Sequence, residues 1–417
     1  MITEILSTGD EVRSGAIADS NAAYIAQRIE SEAGLPVSRH SCVGDDIKDI
    51  AGILREIGAR ADIALVTGGL GPTSDDLTAE AAALAAGVNL NLNETALGQM
   101  EAFFKMRNYT LNSSNRKQAI LPEGAEVLYN PVGTAPGFAL KIGKCLFFFM
   151  PGVPSEMKKM LADRVLPKIA ELQGKQRHFC VVKTISTFGL PESTVGERLA
   201  GLTEAIPEIR LGLRALFPEI QVKLYVEGDN QAVIDSRIQK AVQWIFQQIG
   251  DKVISLDGSS MEAVIGKLLK EKNATLSVAE SCTGGLISHR LTDVAGSSDY
   301  FLFSGVTYSN EAKIKVLGVS PDTLRQYGAV HEETAKEMAL GVKRLTGSTY
   351  GLSTSGIAGP GGGTKEKPVG TVCIGLATPR EVIARRFHFS FGIREMNKTI
   401  FAVTAMELLR RELKIEK

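Results

Sequence analysis

ADIALVTGG, residues 61–69, is the stretch that decides the fold class. Its apolar run reads as a strand that ends in a glycine turn, and LTAEAAALAAGV (77–88) continues as a helix. The same alternation extends upstream. ITEILSTG (2–9) and LPVSRHSCV (35–43) read as strands, and DDIKDIAGILREIGARA (45–61) as an amphipathic helix. SNAAYIAQRIESEAG (20–34) reads as a helix with Ser20 as a candidate cap and Gly34 at its end. Downstream, KCLFFFMPG (144–152) is a continuous apolar run, as in a strand buried on both faces. Strand–helix–strand alternation implies a mostly parallel sheet covered by helices.

From about residue 176 the pattern changes. HFCVVKTISTFGL (178–190) and EIQVKLYVEG (219–228) have strand character, with helices at STVGERLAGLTEA (193–205) and NQAVIDSRIQKAVQWIFQQIG (230–250). This is a small α+β, KH-like unit. It lacks the GxxG loop with which KH modules clamp nucleic acid, so no nucleic-acid partner is expected. KVISLDGSS (252–260) reads as a linker, after which the strand–helix alternation returns. The expected fold is α/β: two three-layer α/β/α domains with mostly parallel sheets (1–172 and 256–417), joined by a small α+β domain (176–252).

Composition narrows the function classes. The chain has 417 residues, 44% of them hydrophobic and 23% charged, as in a globular protein with real cores. Acidic and basic side chains balance at 47 each, which supplies neither a basic stripe for nucleic acid nor a polybasic membrane anchor. Five scattered cysteines show no CxxC spacing and suit a reducing compartment. The start MITEILSTGDEV has no signal-peptide core, and no apolar run is long enough to span a bilayer. The expectation is a cytoplasmic protein without a membrane partner.

Three motifs in the last third carry chemistry. In AESCTGG (279–285) an apolar strand runs into Ser281 just before a helix. A serine there lies near the unpaired N–H groups of a helix start, which can stabilise an oxyanion, although a plain N-cap is the simpler reading. In VTYSNEAK (306–313) Ser309 can cap a helix and put Lys313 one turn in. To act as a base at neutral pH, that lysine must lose about three pKa units through desolvation or a neighbouring cation; otherwise it is a solvated surface lysine. SGIAGPGGG (355–363) offers a backbone without Cβ atoms, including Gly356, Gly359, Gly361 and Gly362, that can approach a phosphate or simply form a turn.

These motifs, with EKPVGTV (366–372), resemble in order the C-terminal domain of CinA-like proteins. The resemblance implies deamidation of nicotinamide mononucleotide (NMN) without a cofactor. Ser281 is then the nucleophile, Lys313 the base and Tyr308 an assisting group. Arg394, in FGIREM (391–396), matches a family arginine, although Ile393 stands where an acidic residue is usual. Thr283, Gly284, Gly285 and the loop glycines are candidates for substrate binding. No histidine stands in a motif that suggests a Ser-His triad.

The N-terminal third carries STGDE (7–11), VGDD (43–46), TGGLGPTSDD (67–76), NPVGTAPG (130–137) and MPGVP (150–154). The first three follow apparent strands, where α/β folds build their binding crevice. Glycine N–H groups suit a pyrophosphate, and aspartates suit a hard divalent cation. This half resembles the molybdopterin-binding domain family, in the version found in full-length CinA proteins. That implies metal-dependent hydrolysis of ADP-ribose, or binding of a molybdopterin-like ligand without cleavage. Asp45 and Asp76 are then the essential carboxylates, joined by Glu11 and Asp10 around a divalent metal ion. Gly68, Gly69 and Gly71 contact the substrate. A competence or damage-linked accessory role is the remaining alternative, and a homodimer is expected.

Overall fold

The computed structural model describes residues 1–174 and 179–415. The N-terminal region contains β1 (Thr3–Thr8), β2 (Val37–Val43), β3 (Ile63–Thr67), a two-stranded ribbon of β4 (Leu90–Leu92) and β5 (Ile120–Pro122), then β6 (Glu126–Leu128), β7 (Gly137–Ile142) and β8 (Cys145–Met150). Its six-stranded sheet has the order β2-β1-β3-β8-β7-β6, parallel from β2 to β8 and antiparallel beyond.

Period-two alternation splits the apolar strands between two cores. Leu6, Ala64, Val66, Phe147 and Phe149 pack with the helices Ile47–Arg60 and Thr78–Ala86. Ile5, Ile63, Leu65, Phe148 and Met150 pack on the other face with Ser20–Arg28 and Pro154–Met160. The sheet is therefore sandwiched between helices, as the alternation predicts. Asp19, not Ser20, caps the helix Ser20–Arg28 by accepting from the Ala22 N–H. Gly34 ends the following turn in the left-handed region, at φ 64°.

The middle strands are β9 (Phe179–Phe188), β10 (Ile209–Leu216), β11 (Glu219–Gly228) and β12 (Val253–Ser255), in the order β10-β11-β9-β12. The expected linker at 252–260 is thus partly a strand. Val253 pairs antiparallel with Thr187, and Val253 and Ile254 are buried, which a free linker would not allow. The expected boundary near residue 176, and His178 at the start of the expected strand, lie outside the described residues.

The last region contains β13 (Leu276–Glu280), β14 (Phe301–Val306), β15 (Tyr350–Gly356), β16 (Thr371–Ala377) and β17 (Val382–His388). Their order is β14-β13-β15-β16-β17, with β13 parallel to both neighbours and the later pairs antiparallel. One face buries Leu276, Val278, Leu352 and Ile374 against the helices Met261–Glu271 and Arg394–Lys414. The other face packs Ala279 with Leu317, Leu324, Met338 and Val342. Contacts group the chain into two compact units, residues 1–182 with 225–238, and 183–224 with 239–417. Within the second unit Arg290 bridges Glu219 and Glu262, at 2.8 Å to each. Among the described residues no helix is long and apolar enough to cross a membrane.

Candidate active sites

In the second unit, β13 ends at Glu280 and the chain turns through Ser281 to Gly285 before the helix Leu286–Thr292. Gly284 and Gly285 adopt φ 62° and 92°, a conformation that side-chain-bearing residues rarely take. The N–H groups at the helix start are not left for a substrate. The Glu280 carboxyl, fully buried, accepts from the backbone N–H groups of Gly285, Ile287 and Ser288 at 2.9, 3.2 and 2.9 Å. The Gly284 N–H donates to the Ser281 carbonyl at 3.1 Å. Among the described residues, the N–H groups of Cys282 and Thr283, next along the chain from Ser281, have no backbone acceptor outside regular structure. Sequence reading missed Glu280, although a carboxylate just ahead of a helix is a known capping signal.

Ser281 does not cap the helix; its hydroxyl meets Lys313. Ser309 caps the helix Asn310–Leu317 through the Ala312 N–H at 3.0 Å, and Lys313 lies in its first turn. Lys313 is 1% exposed, which removes the surface-lysine reading. Its Nζ lies 3.2 Å from Ser281 Oγ, 2.8 Å from the Thr307 carbonyl and 3.2 Å from the Tyr308 carbonyl. Desolvation pulls its pKa below the usual 10.5, and no carboxylate pairs with it among the described residues. A neutral amine has two hydrogens and one lone pair. In that form, with the Thr307 and Tyr308 carbonyls accepting its two hydrogens, the lone pair would face the Ser281 hydroxyl; in the charged form all three contacts would be donated by Lys313.

Cys282, the neighbour of Ser281, is buried, and burial pushes its thiol up to about 12. A thiol so raised supplies almost no thiolate. Thr283 is buried, with its hydroxyl 2.8 Å from that of Thr354, so only its backbone is left to face a ligand. Gly356 is a packing glycine: a Cβ there would meet the Thr371 carbonyl oxygen at 2.6 Å and Cys282 Sγ at 3.1 Å. Gly359 (φ 89°) packs on Val369, whereas a Cβ at Gly361 would meet open space and Gly362 has φ 85°.

Arg394 ties three motifs together. Its guanidinium donates to the Gly359 carbonyl at 2.6 Å and to the Tyr308 hydroxyl at 3.3 Å. Asn397, one turn on and fully buried, donates to the Ala358 carbonyl at 3.0 Å. Sequence reading passed over Asn397 and Lys398.

In the first unit, the carboxyl ends of β1, β2, β3 and β8 open on a cavity of about 410 Å³. Gly9, Glu11, Asp45, Gly68, Gly69, Gly71, Asp75, Asp76 and Glu156 are among its lining residues. Gly68 and Gly69 are held by close packing: Cβ atoms there would meet the Thr8 carbonyl oxygen at 2.2 Å and Thr78 Oγ1 at 2.1 Å. At Gly71 the conflict would be with the Asp76 carboxyl at 2.4 Å. Ser7 of the STGDE motif lines the same cavity, as do Asn21 and Gln118, which were not singled out in the sequence.

Of the four expected carboxylates, Glu11, Asp45 and Asp76 line this one cavity, and Asp10 does not. The Asp10 carboxyl pairs with Arg13 at 3.0 Å, and its N–H donates to Asp45 at 3.0 Å. Asp76 accepts from the Thr73 N–H and hydroxyl. Among the described residues no three His, Cys, Asp or Glu side chains are grouped as metal ligands. Local partners hold Asp10 and Asp76, so a four-carboxylate cage is not preformed. Asp45 faces the cavity with its pKa raised, first by burial and then by the charges of Asp10, Glu11 and Asp75. Oxygen donors with unrelieved negative charge fit a hard cation bound through one or two carboxylates and a ligand's own phosphates.

Comparison with known proteins gives three consecutive family matches along the chain. Residues 258–413 match the family described as CinA C-terminal domain, 182–255 the Damage-inducible protein CinA KH domain, and 4–171 the "Probable molybdopterin binding domain". A CinA-like protein of Desulfosudis oleivorans is 56% identical over 99% of this chain and 100% of its own length. The chain belongs to the CinA-like protein family. A second family member, from Desulforapulum autotrophicum, is 51% identical over 99% of this chain and 98% of its own. Among solved structures, a competence/damage inducible protein from Agrobacterium tumefaciens has 34% identity and a TM-score of 0.36, covering 38% of this chain and 98% of its own.

Proposed function

We propose that the second unit hydrolyses the carboxamide of NMN to a carboxylate and ammonia. The observation that carries this reading is the contact set of Lys313, in which two carbonyls and a serine hydroxyl fit a neutral amine acting as base. Lys313 takes the Ser281 proton as Ser281 Oγ attacks the amide carbon. The Cys282 and Thr283 N–H groups face the developing oxyanion. The proton passes from Lys313 to the leaving nitrogen, ammonia departs, and the acyl group remains as a serine ester. Water, deprotonated by the same amine, hydrolyses that ester and restores Ser281. Arg394 holds Tyr308 and the Gly359 loop around the substrate. Ammonia release from NMN by the purified protein tests the reading, and its absence refutes it.

A second activity is favoured by the cavity of the first unit, whose volume and carboxylate-and-glycine lining suit a nucleotide diphosphate. The reading is cleavage of ADP-ribose to AMP and ribose 5-phosphate with a divalent cation. Asp45 and Glu11 would hold the cation, with Asp76 beside them. A bound cation would supply charge neutralisation on the diphosphate. Binding of a molybdopterin-like ligand without cleavage is the rival, and incubation with ADP-ribose and magnesium separates the two. A cytoplasmic homodimer completes the proposal; sedimentation of the purified protein tests the dimer.

A further inference from the structure

One cation beside the Ser281 turn has no hydrogen-bonded or ionic partner among the described residues. Arg394 is committed to the Gly359 carbonyl and the Tyr308 hydroxyl, and Lys313 to Ser281 and two carbonyls. Lys398 is different. It lies one turn beyond Arg394 on the helix Arg394–Lys414 and is half-buried, with no hydrogen bond or ion pair to any described residue. Its Nζ reaches the nucleophile turn: a Cβ at Gly284 would stand 3.6 Å from it. Holding a long, charged side chain against a glycine turn costs conformational entropy and some hydration, with no hydrogen bond or ion pair in return. A negative group on the ligand would offset both costs.

We infer that Lys398 is the anchor for the substrate's phosphate monoester, and so the residue that selects a nucleotide over its nucleoside. The inference rests on the deamidase reading for its ligand. In that substrate the reacting carboxamide and the phosphate lie at opposite ends of a pyridine riboside. Ser281 takes the first end. Three residues further along the same turn, at Gly284, Lys398 stands ready for the second. Gly284, at φ 62°, puts no side chain against the lysine, whose Nζ would lie 3.6 Å from a Cβ there. A flexible ammonium acts here as a point charge on phosphate, without the fixed geometry of an arginine fork. Arginine at this position should therefore serve as well.

The test separates binding from turnover. In a Ser281→Ala background, calorimetry measures affinity for NMN and for nicotinamide riboside, with Lys398 intact or changed. Lys398→Met should weaken NMN binding by about tenfold or more, the worth of one charge-assisted contact. Lys398→Arg should restore it, and riboside affinity should not follow either change. Equal NMN affinity with and without Lys398 overturns the inference, as does a parallel loss for the riboside, which would mark a merely structural lysine. If the affinity pattern holds but the unmutated chain releases no ammonia, the phosphate anchor stands and the deamidation reading falls.

Discussion

The two candidate sites differ in how far they are assembled before a ligand arrives. At Ser281 the serine hydroxyl and Lys313 Nζ are already 3.2 Å apart, the lysine is buried, and Glu280 locks the turn through three backbone N–H groups. At the cavity of the first unit, Asp10 is paired with Arg13, Asp76 with Thr73, and Asp45 carries uncompensated negative charge. The first arrangement is preorganised by protein contacts alone. The second is left incomplete in charge, and an incoming cation and diphosphate would complete it. Preorganisation concentrates the effect of a single substitution, because the paired groups act as a unit. An open, charge-driven site spreads that effect and makes it depend on solution conditions.

The sharpest test of this contrast is substitution of the pair. Ser281→Ala and Lys313→Met should each lower ammonia release from NMN by about 10³-fold or more. Cys282→Ala should keep most activity, since its thiol is pushed to about 12. An active Ser281→Ala beside a folded, inactive Cys282→Ala would break the mechanism.

The cavity site should respond to metal. Chelation, or Asp45→Asn, should reduce ADP-ribose cleavage by about 10²-fold and leave NMN deamidation unaffected. Loss of both activities with the fold intact would erase the distinction between a self-sufficient site and a cation-dependent one.

A smaller, graded effect is expected with pH. Lys313 must be neutral to accept a proton, and its pKa lies below 10.5. Deamidase kcat/KM should therefore fall about tenfold per unit as pH drops below that depressed value. Stability follows the same sign. The unfolded chain holds the Lys313 proton up to its ordinary pKa, so folding stability due to this group rises with pH from the depressed value to above 10.5. At neutral pH Lys313 is thus a stability cost, and Lys313→Met should melt a few degrees higher while inactive. A flat profile, or a lower melting point, would argue against a desolvated amine.

The smallest effect concerns independence. A fragment from about residue 256 keeps Ser281, Lys313, Tyr308 and Arg394, and should still deamidate NMN. It loses Glu219, one of the two carboxylates on Arg290, and with it about 1–3 kcal/mol. The expected readout is a lower melting temperature with similar kcat. A folded but inactive fragment would show that the site borrows residues from the middle segment.

The layered α/β architecture was legible because strands buried on two faces need continuous apolar runs, as in Phe147–Met150, and amphipathic helices announce themselves by period. Ser281, Lys313, Tyr308 and the glycine loop stood out because they sit in compact motifs at strand ends. The strand hidden in Val253–Ser255 did not stand out, since three residues beside a glycine carry too little periodicity. Nor did Asn397, whose partner Ala358 lies far off in sequence, or Glu280 and Lys398, whose surroundings no linear motif announces.

The sequence by itself determined which elements form and which residue types stand at their ends, because periodicity and capping are local properties of the chain. Only the tertiary structure decided what those residues do. Burial, which makes Lys313 a candidate base and raises Cys282, is set by packing among segments far apart in sequence. Folding also gives helix-start N–H groups to Glu280, ties Asp10 to Arg13, and leaves Lys398 without a hydrogen-bonded or ionic partner among the described residues. Protonation, pairing and availability depend on a group's surroundings in space, which a linear motif does not contain.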